Sequence, residues 1–175
     1  MKMIRRTVFL LTAALLLVVR PAATLSAEPS TAQGVKAPVF SGITLEGKRI
    51  SSASLAGKPY IVNFFASWCP PCRHEIPDMV ALQKVYGPKG FTFIGVAVSD
   101  SEPAIRAFVS KAGITYPVMM GDEKIVGAFS GQVRGGMRSI PTSFVINSSG
   151  RITEVITGAR SRDEFEKKIL QSFKK

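Results

Sequence analysis

Residues 60–72 have the sequence YIVNFFASWCPPC, in which a nearly continuous apolar run is followed by two cysteines with two prolines between them. An apolar run without alternation is typical of a strand buried on both faces, in a parallel or mixed sheet. The apolar positions that follow recur with helical spacing and predict a helix over 70–86, bent at Pro77. The two cysteines therefore lie where a buried strand turns into a helix.

This position makes the two sulfurs chemically unequal. Cys69 is predicted to be an exposed N-cap, where the positive end of the helix dipole lowers a thiol pKa and favours the attacking thiolate. Cys72 lies one turn inside, on the apolar side, where a sheltered thiol suits the resolution of a mixed disulfide. Such a division of labour is the chemistry of dithiol exchange. An inert structural disulfide is less consistent with the spacing, because structural disulfides generally close longer loops.

Strands and helices alternate through the rest of the chain, which predicts an α/β fold whose central sheet has helices on both sides. The final helix begins with Ser161 and Glu164, a capping box. The other predicted elements are a hairpin at 39–50, strands at 60–66 and 91–98, a helix at 103–112, a short strand at 117–119, a helical stretch at 122–129, paired strands at 142–147 and 151–157, and the final helix to about 173.

The N-terminal residues have the pattern of an export signal. Three basic residues precede an apolar run at 7–19, and Arg20 ends it. Residues 1–27 are therefore predicted to be a signal peptide. An uncleaved membrane tether through residues 1–20 is the alternative, although the run is shorter than the roughly 20 residues that span a bilayer. Residues 28–37 have linker composition, and 38–175 are predicted to form one domain.

Composition limits the possible partners. The net charge is +11, and it falls to +7 without residues 1–27, which hold four basic and no acidic residues. The basic residues are spread over loops and helix faces, so nucleic-acid binding is not favoured. A solvated surface is the favoured interpretation, and steering of acidic partners is the alternative. Two cysteines and His74 are too few for a structural zinc ion, so no metal and no cofactor are expected. His74 is expected on an exposed helix face; the alternative is a charged imidazole that helps to hold the Cys69 thiolate in place of the missing amides.

Three segments resemble the TlpA/ResA/CcmG (DsbE-like) group of bacterial thioredoxin-like proteins: FFASWCPPCRHEIP at 64–77, Ile140-Pro141-Thr142, and SFVINSSGRI at 143–152. The resemblance covers most of 37–173. It implies a thioredoxin-like fold with a central mixed sheet. An N-terminal hairpin and a central strand-helix insertion between Gly95 and Val118 would be additions to bare thioredoxin.

The resemblance also implies roles for individual residues. Cys69 would be the nucleophile and Cys72 the resolving thiol. Pro141 would be a cis-proline facing the pair. The residues expected to contact the substrate are Trp68, Pro70, Pro71 and Ile140.

Two features depart from the pattern of the family. The buried acid of thioredoxin itself would fall at Asn63, five residues before Trp68, and an amide cannot take up a proton. The resemblance to ResA-like proteins implies that a carboxylate after the second central strand, here Asp100, accepts the proton of Cys72 instead. The alternative is that Asp100 only occupies the start of the following helix. No other acid is expected beneath the cysteines. The segment 131–139 is longer than expected and is interpreted as a mobile surface loop, with a partner contact as the alternative.

The prolines of the motif bear on the direction of the reaction. Pro70 and Pro71 have no N–H, so only Cys72 can donate a backbone hydrogen bond to the Cys69 sulfur. A thiolate with few donors is weakly stabilised, which predicts a reductant rather than an oxidant.

The family implies a periplasmic thiol-disulfide oxidoreductase, often membrane-tethered, that reduces disulfides or CxxC motifs of exported proteins such as apocytochrome c. A membrane electron donor would reduce it again. A peroxiredoxin-type thiol peroxidase is one alternative, but Ala66 stands where those enzymes have threonine, three residues before the reactive cysteine. A copper-handling thioredoxin-like protein is another, but His74 is the only histidine, so copper binding would need a partner's ligand.

Overall fold

The computed structural model describes residues 34–174. The predicted signal at 1–27 and most of the linker at 28–37 therefore lie outside the described residues. Within 34–174, no helix combines the length and apolar character that crossing a membrane requires.

The described residues alternate between strands and helices, as predicted. The elements are β1 (Ser41–Ile43), β2 (Arg49–Ser51), β3 (Tyr60–Phe65), α1 (Pro70–Tyr86), β4 (Thr92–Ala97), α2 (Glu102–Ala112), β5 (Val118–Met120), α3 (Glu123–Ser130), β6 (Thr142–Ile146), β7 (Ile152–Thr157) and α4 (Arg162–Ser172). Short 3-10 turns follow β2 and α1, at Ala53–Leu55 and Gly87–Lys89.

Five of the strands form one mixed sheet, in the order β5-β4-β3-β6-β7. β3 is central, parallel to β4 and antiparallel to β6, while β5 pairs in parallel with β4 at one edge. β1 and β2 form the separate hairpin. The predicted thioredoxin-like architecture is therefore confirmed, and all six residues of β3 are buried, as its apolar sequence indicates.

Side chains of β3 alternate between two apolar layers, because successive residues of a strand point to opposite faces. One layer lies against α1, α2 and α4, and the other lies against α3 and the hairpin. Buried members of the first layer include Ile61, Phe65, Ile76, Ile105, Phe165 and Ile169. Buried members of the second include Val62, Phe64, Ile50, Phe129 and Phe144.

Local sequence sets the helix ends. Cys69 caps α1, and the prolines after it occupy the first turn, where backbone N–H groups have no partner within the helix. Pro77 lies inside α1 without ending it. Gly113 ends α2 in the left-handed conformation, and the predicted capping box of Ser161 and Glu164 starts α4.

This topology brings the predicted site residues to one end of the sheet. β3 and β4 are parallel, so the segments after them, which contain the two cysteines and Asp100, leave the sheet at the same end. β6 is antiparallel to β3, so Pro141 enters the sheet at that end as well.

Candidate active site

Cys69 and Cys72 are joined by a disulfide, with their Cα atoms 5.3 Å apart. Cys69 is the N-cap of α1, and its Sγ accepts a hydrogen bond of 3.3 Å from the backbone N–H of Cys72. Pro70 and Pro71 fill the first two helical positions and donate nothing. The predicted single backbone donor to the Cys69 sulfur is therefore confirmed.

The two cysteines differ less in burial than predicted. Cys69 is 2% exposed and Cys72 is 0% exposed. The expectation of an exposed Cys69 is thus wrong for this oxidised form, because neighbouring groups cover its sulfur. One of them is the carbonyl oxygen of Ile140, 3.7 Å from Sγ. A disulfide sulfur carries no hydrogen, so this is a packing contact that only the reduced thiol could turn into a hydrogen bond.

Pro141 stands beside the disulfide at the start of β6. The Ile140–Pro141 peptide bond is cis, as predicted. The carbonyl of Pro141 accepts a hydrogen bond of 2.8 Å from the N–H of Gly158, in the segment between β7 and α4. This bond fixes the strand entry against Cys69.

Trp68 is the largest exposed side chain at the site. It is 57% exposed, and its Nε1 donates a hydrogen bond of 2.9 Å to the carbonyl of Ser99. Pro70 and Pro71 are exposed beside it, and Ile140 is half-buried. Trp68 and Pro70 adjoin Cys69 in the chain and the Ile140 carbonyl contacts its sulfur, but the role of these residues in substrate contact stays a prediction.

Asp100 follows β4, but its carboxylate faces backbone amides rather than the cysteines. Its oxygens accept hydrogen bonds of 2.7 Å from the N–H of Ser67 and 2.8 Å from the N–H of Ser101. Desolvation would raise the pKa of Asp100, but the hydrogen bonds from Ser67 and Ser101 outweigh it and the pKa is lowered. The predicted role as proton acceptor remains a prediction, and these contacts do not favour it.

A different acid, Glu75, lies buried beneath the cysteines with 1% of its surface exposed. Its Oε1 accepts a hydrogen bond of 2.9 Å from the amide of Asn63, and its Oε2 accepts one of 3.1 Å from the backbone N–H of Arg160. The expectation that no further acid lies in this region is therefore wrong. Asn63, which stands at the position of the thioredoxin acid, is instead a donor that holds Glu75.

Burial changes the acidity of Glu75. Desolvation raises its pKa from 4.5 to about 7, against the lowering effect of the Arg160 amide, the Asn63 amide and the Arg160 charge. Cys72 and Glu75 are three residues apart on α1, and side chains at this spacing are neighbours on one helix face. A group that can bind or release a proton near neutral pH is thus buried on the same helix face as the resolving thiol, one turn further along.

Asn63 connects this acid to the sheet. Its side-chain nitrogen also donates a hydrogen bond of 2.9 Å to Ser143 Oγ on β6. The phenol of Tyr116 is buried close by, and burial together with the Glu75 charge raises the pKa of Tyr116. Among residues 34–174, no three His, Cys, Asp or Glu side chains are grouped closely enough to hold a metal ion.

Comparison with known proteins agrees with this geometry. The Redoxin family model matches residues 32–171. The chain is 34% identical over 134 residues to the thiol-disulfide oxidoreductase ResA of Bacillus thuringiensis (strain Al Hakam), which covers 76% of this chain and 74% of that protein. A crystal structure of a thiol:disulfide interchange protein, a thioredoxin family protein from Chlorobium tepidum TLS, matches with a TM-score of 0.77 and 51% identity. That match covers 81% of this chain and 97% of the other.

Replacing Glu75 by glutamine should remove a pH-dependent loss of stability. The pKa of Glu75 is 4.5 in the unfolded chain and about 7 in the folded chain. At pH values between these two, the unfolded state has lost the proton that the folded state still holds. The free energy of unfolding then falls as pH rises, by about 3 kcal/mol in total, since one pKa unit corresponds to about 1.36 kcal/mol. Denaturant titration of the oxidised protein at each pH should show this fall relative to E75Q.

Asp100→Asn is the matched control for this measurement. The pKa of Asp100 is lowered from 3.8, so its carboxylate is ionised in both states across the same pH range. The stability difference between wild type and D100N should therefore stay constant there. If the difference between wild type and E75Q is constant as well, Glu75 does not have the raised pKa.

Brief alkylation of the reduced protein should label Cys69 before Cys72. Cys69 is at the helix N-terminus, where the dipole favours the reactive thiolate, whereas Cys72 is fully buried one turn inside α1. Peptide mapping after a short iodoacetamide pulse measures the order of labelling. Preferential labelling of Cys72 would reverse the assignment of nucleophile and resolving thiol.

Proposed function

The chain belongs to the redoxin family and is a thiol-disulfide oxidoreductase of the ResA type, and on this basis we propose that it reduces disulfides of exported proteins in the periplasm. Apocytochrome c is the proposed substrate within that class. The single observation that supports the reducing direction most strongly is the cap of α1, where Cys69 Sγ has one backbone donor, Cys72.

The proposed reaction passes through a mixed disulfide. The Cys69 thiolate attacks one sulfur of the substrate disulfide, a Cys69–substrate bond forms, and the other substrate sulfur leaves as a thiolate that takes up a proton. Cys72 then loses its proton and attacks Cys69, which forms the Cys69–Cys72 disulfide and releases the second substrate thiol. Two electrons and two protons pass to the substrate, and the protein ends in the disulfide form that the structure contains.

Glu75 is the proposed proton acceptor for the second step. Cys72 is fully buried, so water has little access to its proton. Glu75 lies one turn further along the same helix, with a pKa raised by burial to about 7. A base whose pKa is close to the working pH combines a populated carboxylate with a sufficient affinity for the proton.

The direction of the reaction follows from how well the thiolate is stabilised. Strongly oxidising members of the fold stabilise their reduced form through a thiolate pKa far below about 8.5. An N-cap side chain usually accepts from the backbone N–H groups at the second and third helical positions. Here Pro71 occupies the second position, so one of these two donors is missing. The thiolate is then stabilised less, and the disulfide is harder to reduce.

The proposed location and partners rest on the sequence. The pattern of residues 1–27 supports export, and a tether to the membrane through residues 1–20 is the alternative to a cleaved signal. A reductant in an oxidising compartment becomes oxidised at each turnover, so a membrane electron donor is the proposed source of the two electrons that regenerate the dithiol. The proposed surface on which the substrate disulfide meets Cys69 consists of Trp68, Pro70, Pro71, Ile140 and Pro141.

The reduction potential should lie near the thioredoxin value of about −270 mV, and Pro71→Ala should raise it. The alanine restores an N–H at the second helical position, and the added hydrogen bond to the thiolate should shift the potential upward by up to about 30 mV, which corresponds to about 1.4 kcal/mol. Pro70→Ala is the control, because an N–H at the first position does not point at the cap. Titration against glutathione measures all three proteins, and a wild-type value near about −120 mV would make the protein an oxidant.

Glu75→Gln should slow the resolving step, whereas Asp100→Asn should not. When reduced protein reacts with dithiobis(nitrobenzoate), the first thionitrobenzoate reports attack by Cys69 and the second reports resolution by Cys72. In wild type the second rate should rise with pH through about 7, where Glu75 loses its proton. In E75Q this ionisation should vanish, with a loss on the order of 10²-fold at neutral pH. The reverse pattern, with D100N affected and E75Q unaffected, would return the role to Asp100.

A further inference from the structure

The segment Gly131–Ser139, between α3 and β6, is held in place by its own hydrogen bonds. Ser130 Oγ accepts a hydrogen bond of 2.8 Å from the N–H of Met137, and the N–H of Gly136 donates one of 2.8 Å to the carbonyl of Val133. Val133 and Met137 pack against the apolar layer on the α3 side of the sheet. These contacts do not fit the interpretation of a free surface loop.

The glycines of this segment shape the position of Arg138. Gly135 and Gly136 have φ angles of 78° and 80°, which side-chain-bearing residues rarely adopt. A Cβ atom on Gly135 would lie 3.0 Å from Nη2 of Arg138, so a larger residue there would require the guanidinium to shift. Arg138 Nε donates a hydrogen bond of 2.9 Å to the Gly135 carbonyl. One exposed hydrogen bond thus orients the guanidinium along its own segment, and its two terminal nitrogens can still donate.

The backbone of Arg138 is close to the disulfide along the chain. Arg138 is two residues before Ile140, whose carbonyl oxygen is 3.7 Å from Cys69 Sγ, and two residues of chain span at most about 7 Å. Arg134 is exposed on the same segment, and Arg73 is exposed on the first turn of α1. Arg73 thus follows Cys72 directly in the chain, Arg138 lies two residues before the carbonyl that contacts Cys69, and Arg134 is carried on the same segment as Arg138.

Among residues 34–174, none of these arginines forms an ion pair. The ion pairs of the described residues join Arg106 to Glu102, Arg160 to Glu164 and Lys168 to Glu154. Asp100 is the acid that borders Trp68, and its oxygens are engaged by backbone amides. Glu75 is buried. The lowered pKa of Asp100 keeps that carboxylate ionised, so among these residues three arginine charges outnumber one negative charge. Guanidinium groups also offer donors suited to bidentate contacts with carboxylates.

We propose that the Gly131–Ser139 segment, through Arg134 and Arg138, selects protein substrates that carry acidic residues beside their reactive disulfide. The inference rests on the proposed function, because the partner must offer a disulfide to Cys69. Opposite charges on the two surfaces accelerate encounter and orient the disulfide, whereas like charges slow it.

The test uses two disulfide peptides of equal length, one with glutamates and one with lysines flanking the cysteines. Trp68 is the only tryptophan of the chain and adjoins Cys69, so its fluorescence follows oxidation of the reduced protein by each peptide. At low ionic strength the acidic peptide should react at least about tenfold faster, since steering changes association rates by about 10–10³-fold. At about 1 M salt, where the Debye length is about 3 Å, the two rates should converge.

Charge-reversal variants locate the effect. R134E/R138E should reverse the preference, and the charge-conserving R134K/R138K should largely keep it. K48E/R49E is the matched control, because it changes the net charge by the same amount at exposed positions of the hairpin. Lys48 and Arg49 line a cavity together with Tyr116 and Pro117. These two residues precede β5, at the end of the sheet opposite to Cys69. This control should keep the preference of wild type.

Two results would overturn the inference. One is equal rates with both peptides in wild type, and the other is an equal effect of R134E/R138E and K48E/R49E, which would assign the preference to net charge alone. Absence of exchange with either peptide is a different outcome, because it would overturn the proposed function on which the inference rests.

Discussion

The burial of one carboxyl group, that of Glu75, holds the site together. A buried carboxylate without partners is costly, so it requires donors at fixed positions. Asn63 on β3 and the backbone N–H before α4 supply them, and Asn63 also bonds Ser143 on β6. One acid thereby connects α1, the two central antiparallel strands and the segment leading into α4. Its pKa of about 7 shows that desolvation exceeds the effect of these donors, so that either protonation state is accessible near neutral pH.

The same helix arranges the two sulfurs with respect to this acid. The N-terminus of α1 places Cys69 at the dipole end, and one turn places Cys72 inside, with Glu75 a further turn along. Each sulfur therefore has a different source of stabilisation. Cys69 has the helix dipole and one amide, because two prolines occupy the first turn, whereas in the proposed mechanism Cys72 has Glu75 as the acceptor of its proton. Under the proposed mechanism, a substitution at the prolines changes the reduction potential, and a substitution at Glu75 changes the rate at which Cys72 loses its proton.

The fold and the cysteine pair can be predicted from the sequence, because local rules agree there: the buried run of β3, the prolines in the first turn of α1 and the capping box of α4 each indicate one structure. Glu75 is harder to predict, because a glutamate in an amphipathic helix normally faces solvent. Two signals do exist. Asn63 is a polar residue within an apolar strand and needs a buried partner, and the spacing from Cys72 to Glu75 puts both on one helix face. Asp100 has the right place in the chain order, but the amides of Ser67 and Ser101 occupy its oxygens.

Redox chemistry and partner choice are separated in this structure because they depend on charges in different surroundings. Glu75 acts on Cys72 from a buried position, where electrostatic interactions are strong and salt screens them little. Arg134 and Arg138 are exposed, so water and salt screen their charges much more than that of Glu75. Gly135 and Gly136, beside Arg138, also lie outside β3 and α1. Under the two proposals, substitution of the arginines changes which proteins meet Cys69, whereas substitution of Glu75 changes the removal of the proton from Cys72.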